Sequence, residues 1–143
     1  MSKTKVLLVD DEEEFSSVLA ERLGARGYEI DVAKDGMEAI RKVKADNYEA
    51  IILDFAMPGL NGIETLEILL DKEPDLQVIL LTGQATLEKG VEALKLGAQD
   101  VLEKPADINK IVNKIKEAEA NKMLIISKKS EDKIKDIMES KGW

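Results

Sequence analysis

Apolar residues along the chain follow two alternating patterns, short continuous runs and longer stretches with helical spacing. The short runs predict five strands, at 5–9, 28–33, 50–53, 77–81 and 100–103. Helical spacing predicts helices over 12–25, 36–46, 62–72 and 85–96, and a fifth that begins after Pro105. Each predicted strand is therefore followed by a predicted helix.

Strict alternation of strands and helices predicts an α/β fold with three layers. The expected architecture is (βα)₅, a doubly wound parallel sheet with helices on both faces. For five strands the flavodoxin-like order 2-1-3-4-5 is favoured. This order makes the first and third strands neighbours and places the topological switch point between them.

The last residues predict a separate helical segment. Residues 123–126, "MLII", are wholly apolar, and 127–130, "SKKS", interrupt the helical pattern. Ser130 is a favourable N-cap for a short helix with Ile134, Ile137 and Met138 on one face. We therefore predict a domain over 1–122, an extended last helix, a break, and an extra helix within a C-terminal extension, 123–143.

Composition excludes several kinds of site. The chain has no cysteine and no histidine, so disulfides, thiolate metal sites and histidine-based catalysis within the chain are excluded. Asp and Glu outnumber Lys and Arg by 29 to 21, which argues against direct nucleic-acid binding. The acidic excess lies in residues 1–103, with 22 acidic and 11 basic side chains, against 7 and 10 in 104–143.

Hydropathy argues against a membrane protein. The longest apolar runs are far shorter than a membrane span. The N-terminal stretch "MSKTKVLLVDDEEE" has no long apolar region and turns acidic at once, unlike a signal peptide. We therefore expect a cytoplasmic protein without a membrane partner.

Polar side chains stand at the ends of four predicted strands: Asp10 and Asp11, Asp54, Thr82, and Lys104. Ligands of open α/β sheets bind outside the carboxyl ends of the strands, at the switch point. Three neighbouring carboxylates repel one another unless a cation intervenes, and oxygen ligands suit Mg²⁺, Mn²⁺ or Ca²⁺. A carboxylate can also act as a nucleophile toward phosphorus. Singly, each residue has an ordinary alternative as a helix cap, a turn residue or a surface lysine, but the constellation favours a site.

These residues lie in motifs that resemble the receiver domain of two-component response regulators. The motifs are "VDD" (9–11), "LDFAMPGLNG" (53–62), "TG" (82–83) and "EKP" (103–105), and the resemblance covers about residues 4–120. It implies that Asp54 accepts a phosphoryl group from a sensor histidine kinase or a histidine phosphotransfer protein. It also implies that Mg²⁺, or Mn²⁺, is held by Asp10, Asp11, Asp54 and the backbone carbonyl of Ala56.

The resemblance further implies how the signal leaves the site. Thr82 and Lys104 would bind the phosphoryl group, and the movement of Thr82 would remodel the face formed by helix 85–96, strand 100–103 and the last helix. An unknown downstream protein would bind this face, and a homodimer through the same face or through the C-terminal helix is also expected. The chain would catalyse only its own phosphorylation and dephosphorylation. The Lys104–Pro105 peptide is expected to be cis, as is usual in the family.

Three positions depart from the family pattern. Val101 stands where the family usually has a Tyr or Phe whose ring moves together with the threonine. We therefore expect this chain to couple phosphorylation to its output face in a different way. Ala56 and Gln84 occupy positions that affect the attacking water. We expect the small Ala56 to leave the phosphoryl group open, so that Ala56→Asn and Gln84→Glu change the rates of autophosphorylation and dephosphorylation.

Other classes are weighed against the same residues. A haloacid-dehalogenase-like phosphatase needs a second Asp two residues after the nucleophile, where Ala56 stands. A flavodoxin-like FMN binder needs a phosphate-cradling loop after the first strand, where "DDEEE" would repel phosphate. A pseudo-receiver, or a dimerising interaction module without phosphotransfer, stays open as the alternative.

Overall fold

The computed structural model describes residues 3–55, 62–83 and 87–140. The strands are β1 Lys5–Val9, β2 Glu29–Ala33, β3 Ala50–Asp54, β4 Val78–Thr82 and β5 Asp100–Glu103. The helices are α1 Glu13–Ala25, α2 Gly36–Ala45, α3 Gly62–Lys72, α4 Leu87–Leu96 and α5 Ile108–Ser140. Each predicted element is present, and its bounds agree with the predicted ones to within a few residues, apart from the extra helix discussed below.

The strands form one parallel sheet in the order β2-β1-β3-β4-β5. In register, Val9 of β1 lies beside Leu53 of β3, and Asp54 lies beside Leu81 of β4. The predicted (βα)₅ fold and its strand order are therefore confirmed. The order places the residues that follow β1 next to the end of β3.

Apolar side chains fill both faces of the sheet because its central strands are buried on both sides. One face packs against α2, α3 and α4, with Leu53 and Leu80 of the sheet against Leu66 and Ala93 of the helices. The other face packs against α1 and α5, for example Leu81 in one cluster with Ile111. These two clusters hold the central strands, and so the residues at their carboxyl ends, in fixed positions.

The last helix is continuous from Ile108 to Ser140, so the predicted break at residues 127–130 and the separate extra helix are wrong. Ser and Lys lower helix stability only slightly, and the segment contains no Gly or Pro that would end a helix. The boundary between a domain over 1–122 and an extension over 123–143 stays a prediction.

Polar contacts on both sides of the start of the extension fix α5 to the loops that precede three strands. Nζ of Lys122 donates to the carbonyl oxygen of Tyr48 over 2.7 Å. Nδ2 of Asn121 donates to Oε1 of Gln99 over 2.6 Å, and Lys129 forms an ion pair with Asp75. These loops precede β3, β5 and β4, at the opposite end of the sheet from Asp54. The extension therefore leaves the domain away from the predicted site.

Helical spacing located the helices but not every buried face. On α4, Gly90 and Ala93 are buried, whereas Val91 and Leu94 are 53% and 43% exposed. Met37 of α2 is likewise exposed. Apolar residues on these helices therefore contribute to the surface as well as to the core. Among the described residues, no helix has both the length and the apolar character of a membrane span.

Candidate functional site

Asp54 ends the central strand β3 and is 3% exposed. The chain next to it is fixed by the sheet, because the backbone N–H of Phe55 donates to the carbonyl of Leu81 over 2.8 Å. A lone buried carboxylate would be costly in such a position. Its partners therefore decide what this residue can do.

Two further carboxylates lie beside Asp54. One oxygen from each of Asp10, Asp11 and Asp54 lies within 4.8 Å of the others. Asp10 is 2% exposed, whereas Asp11 is exposed to solvent. The three carboxylates that the sequence places at two strand ends thus form one cluster, which is open to solvent at Asp11.

Burial and the neighbouring negative charge disfavour the ionised form of Asp10. Desolvation, followed by the repulsion of Asp54, raises the pKa of Asp10 to about 6, against the lowering effect of the Glu12 backbone N–H and of Lys104. Oδ1 of Asp10 accepts a hydrogen bond from the Glu12 N–H over 2.9 Å. Its buried Oδ2 has no hydrogen-bond partner among the described residues. A buried acceptor in this state is suited to a cation.

Lys104 supplies the positive charge at the cluster. Its Nζ lies 2.9 Å from Oδ1 of Asp54, and the same nitrogen lies 5.2 Å from the centroid of the Phe15 ring. The backbone N–H of Lys104 donates to the carbonyl oxygen of Thr82 over 2.7 Å, which fixes β5 beside β4 at this point. The Lys104–Pro105 peptide is cis, as expected.

Thr82 ends β4 and is completely buried. Its hydroxyl donates to the carbonyl oxygen of Gly83 over 2.8 Å. Thr82 and Lys104 therefore stand at the same edge of the sheet as the carboxylates, on neighbouring strands. Ala56 and Gln84 lie outside the described residues, so the expectations about the Ala56 carbonyl and the phosphoryl lifetime stay predictions.

Val101 lies close to α4 rather than leaving a gap there. A Cβ atom on Gly90 would lie 2.7 Å from Cγ1 of Val101 and 3.6 Å from Cγ2 of Thr82. Gly90 therefore lets α4 approach β4 and β5 more closely than any other residue would. The family that this chain resembles usually has an aromatic ring at this position. In this chain the position is Val101, which packs closely against Gly90 of α4, near the methyl group of Thr82.

A second close approach follows Asp54 along the chain. A Cβ atom on Gly62 would lie 2.7 Å from Cα of Phe55 and 2.9 Å from its carbonyl oxygen. The Gly62 N–H donates to this same oxygen over 2.9 Å. Phe55 also lies beneath α4, with Nζ of Lys89 5.6 Å from its ring centroid. The first residue of α3 thus packs directly on the backbone beside Asp54.

Sequence reasoning missed Phe15, Gly62 and Gly90 as neighbours of the site. Phe15 lies within the predicted helix 12–25, and its position four residues after Asp11 was the available signal. Gly62 stands in the quoted "LNG" stretch, and its proximity to Asp54 in sequence was the available signal. Nothing in the sequence marks Gly90, because its role depends on the packing of α4 on β5.

Comparison with known proteins identifies a family to which this chain is similar. The family model described as response regulator receiver domain matches residues 6–116. The transcriptional regulatory protein ZraR of Klebsiella oxytoca is 34% identical over 119 residues, which cover 83% of this chain and 27% of ZraR. The CpxR homolog of Haemophilus influenzae, also a transcriptional regulatory protein, is 37% identical over 113 residues, which cover 79% of this chain and 49% of that protein.

A solved structure agrees with this result. The receiver domain of a response regulator from Clostridium thermocellum superposes with a TM-score of 0.82 and 29% identity, over 85% of this chain and 98% of that one. The chain spans about a quarter to a half of the length of the two curated relatives. The match to the family model covers most of the chain and includes every site residue described above. This chain belongs to the family of response regulator receiver domains.

Proposed function

We propose that Asp54 is the phosphoryl acceptor of a two-component phosphorelay. The observation that carries the proposal is the position of Asp54, buried at the end of β3 and 2.9 Å from Nζ of Lys104, with Asp10 and Asp11 in the same cluster. A carboxylate held beside an ammonium group can receive a phosphoryl group whose negative oxygens that group stabilises. The donor would be a phosphohistidine on a sensor histidine kinase or a histidine phosphotransfer protein, since this chain has no histidine.

The carboxylate cluster fits a hard divalent cation, Mg²⁺ or Mn²⁺. All its donors are oxygens, the buried Oδ2 of Asp10 has no hydrogen-bond partner in the described part of the chain, and the exposed Asp11 leaves an approach from solvent. Asp10, Asp11 and Asp54 would hold the ion, with the carbonyl of Ala56 as a further ligand expected from the family. When bound, the ion neutralises the carboxylates and the oxygens of the incoming phosphoryl group.

In the transfer step an oxygen of Asp54 attacks the phosphorus of the phosphohistidine. An O–P bond forms, the N–P bond breaks, and the departing imidazole nitrogen keeps the electron pair of that bond and gains a proton. Lys104 then pairs with the new phosphoryl oxygens, and the hydroxyl of Thr82 turns from Gly83 to donate to one of them. In this role the chain is not an enzyme acting on other substrates, because it catalyses only its own phosphorylation and dephosphorylation.

Output follows from the contact of Thr82 with its neighbours. The methyl group of Thr82 lies close to Gly90, so movement of Thr82 toward the phosphoryl group changes its packing against α4 and with it the position of α4 on the α4-β5-α5 face. Val91 and Leu94 are exposed on α4 and offer apolar contacts to a downstream protein. Phosphorylation adds roughly 1.5 to 2 negative charges, and can bias this equilibrium only through contacts that differ between the two states. We place this activity in the cytoplasm, without direct nucleic-acid contact by this domain.

Incubation with acetyl phosphate and Mg²⁺ tests the proposal. We expect acid-labile phosphate on the intact chain, no incorporation without the divalent ion, and none in Asp54→Ala. Asp71→Ala is the matched control, because Asp71 is an exposed carboxylate on α3. Equal labelling of Asp54→Ala and the parent would overturn the proposal. Absence of any labelling, with the fold intact by circular dichroism, would favour the pseudo-receiver.

A further inference from the structure

Apolar side chains are exposed along the C-terminal part of α5. Six of the eleven large apolar residues that are exposed among the described residues lie there: Met123 70%, Leu124 67%, Ile126 56%, Ile134 58%, Ile137 45% and Met138 44%. We call these six residues the C-terminal stripe. An apolar surface of this extent on a small protein is typical of an interaction site.

The C-terminal stripe lies on one side of the helix. At about 100° per residue, its six members fall within roughly 160° of the helix circumference. Ser127 and Ser130 lie within the same arc, between the two apolar groups. Glu131 lies in this arc as well, so the stripe consists of two apolar groups separated by polar residues near the middle of the segment.

Beyond Lys129, the described part of this segment forms no hydrogen bond or ion pair with the receiver domain. Every residue from 127 to 140 is exposed, and the ion pair of Lys129 with Asp75 is the last contact to the domain among the described residues. A free helix of about ten residues is marginal in water even with favourable sequences. A helix that continues to Ser140 therefore needs a partner on its apolar side.

Charge indicates what this partner is. Residues 122–129 carry three lysines and no acidic side chain, whereas residues 130–140 carry four acidic side chains and two lysines. The first half has a net charge of +3 and the second half of −2. The second half of one helix therefore complements the first half of an identical helix that runs in the opposite direction.

Shape favours the same arrangement. In an antiparallel pair centred between Ser130 and Glu131, Met123 faces Met138, Leu124 faces Ile137, and the small Ser127 faces Ile134, while Ile126 lies opposite Lys135. Alternation of large and small residues lets two helices interdigitate. A parallel pair would instead place like charges together and bring two receiver domains side by side, each from a chain with a net charge of −8.

We propose that the C-terminal stripe joins two copies of this chain in an antiparallel helix pair, with one receiver domain at each end. Paired residues 123–140 extend over roughly 27 Å of helix. A contact of this length buries less surface area than a standard protein interface. The dimer is therefore reversible and depends on protein concentration. The carboxylate clusters lie away from the pair, because the extension leaves each domain at the end of the sheet opposite Asp54.

Sedimentation of the full chain over a range of concentrations tests the association. The mass should rise toward that of a dimer, and Ile134→Gln should raise the dissociation constant at least tenfold. Asp136→Glu is the matched control, because it keeps the charge and residue 136 lies on the opposite side of the helix from residue 134, and it should change the constant less than threefold. A chain that stays monomeric at every concentration, or one that dimerises equally well with Ile134→Gln, overturns the proposal.

The absence of cysteine allows the direction of the pair to be tested separately. Met123→Cys and Met138→Cys chains are mixed and oxidised with copper phenanthroline and oxygen. An antiparallel pair predicts disulfides between the Met123→Cys and Met138→Cys chains. A mixture of Met123→Cys and Asp136→Cys chains, the control, should give none. Disulfides that form mainly between identical variants would show a parallel pair and overturn the proposed geometry.

Discussion

Gly90 of α4 lies so close to Val101 of β5 that a Cβ atom at residue 90 would be 2.7 Å from Cγ1 of the valine. The same atom would be 3.6 Å from the methyl group of Thr82. A side chain proposed to bind the phosphoryl group and Val101 therefore both lie close to the same glycine of α4. The contact gives this chain a route from the site to its surface that does not require an aromatic ring at residue 101.

Gly90→Ala should disturb this contact. The added methyl group must displace Val101 or lift α4, and overpacking of this kind costs about 1 to 3 kcal/mol. Urea unfolding measures the loss, and Gly24→Ala is the control, because a Cβ at residue 24 meets nothing within 4 Å. Val101→Ala should partly restore Gly90→Ala, since it removes the colliding methyl groups. Additive effects of the two substitutions would contradict the proposed contact.

Gly62→Ala should be more harmful than Gly90→Ala. The new Cβ would meet backbone atoms of Phe55 at 2.7 and 2.9 Å, and backbone cannot turn aside as the tip of a side chain can. We expect a loss of about 2 to 4 kcal/mol in the free energy of unfolding, together with slower phosphorylation of Asp54. Gly83→Ala is the control near the same site, because its Cβ would have no neighbour within 4 Å among the residues that the structure describes. Equal stability of Gly62→Ala and Gly83→Ala would refute the explanation.

Lys104→Met should strengthen Mg²⁺ binding but slow phosphorylation. Removal of the ammonium group 2.9 Å from Asp54 leaves a more negative cluster, so the affinity for Mg²⁺ should rise by roughly threefold to tenfold. Phosphorylation by acetyl phosphate should slow by about tenfold or more, because the phosphoryl oxygens lose a cation. Titration calorimetry and a phosphorylation time course measure the two effects. Lys95→Met, an exposed change on α4, should alter neither. Weaker Mg²⁺ binding in Lys104→Met would contradict this prediction.

Asp10→Asn should stabilise the metal-free protein near neutral pH. Folding raises the pKa of Asp10 from 3.8 to about 6, so ionisation of this carboxyl group lowers the free energy of unfolding. This penalty grows as the pH rises from the unfolded pKa to the folded one and is fully present near pH 7. We expect a gain of about 1 to 2 kcal/mol at that pH.

Urea unfolding in a chelator at about pH 7 and about pH 5 checks this prediction. The advantage of Asp10→Asn should shrink at the lower pH, where the parent carboxyl group is partly protonated. Saturating Mg²⁺ at neutral pH should remove or reverse it, since the parent then binds the ion and the variant binds it less well. A variant less stable than the parent in the chelator at pH 7 would count against a repulsive cluster.

The sequence predicted the fold because local pattern and global architecture agree. Continuous apolar runs suit strands buried on both faces, as in β3 and β4, and periodic apolar residues suit the helices that cover them. The proximity of the predicted site residues could be foreseen for a related reason. Parallel strands end at the same edge of the sheet, so Asp10, Asp54, Thr82 and Lys104 had to lie near one another once the strand order was fixed.

Features that depend on tertiary packing could not be predicted in the same way. The contacts of Gly90 and Gly62 arise between elements, and a glycine in sequence does not reveal what its missing Cβ would meet. The predicted break at 127–130 failed because loss of apolar periodicity indicates loss of a buried face, not the end of a helix. Ser and Lys are acceptable in an exposed helix, and Lys122 and Lys129 fix this part of α5 to Tyr48 and Asp75.

Chemical mapping of the phosphorylated residue tests the central claim most directly. After reaction with acetyl phosphate and Mg²⁺, borohydride reduces an aspartyl phosphate to homoserine, which marks the modified position in peptide mass spectrometry. We predict homoserine at residue 54 only, and none in a sample prepared without the divalent ion. Homoserine at residue 10 or 11 in place of 54, or phosphate without any conversion of Asp54, would contradict the assignment of Asp54 as the phosphoryl acceptor.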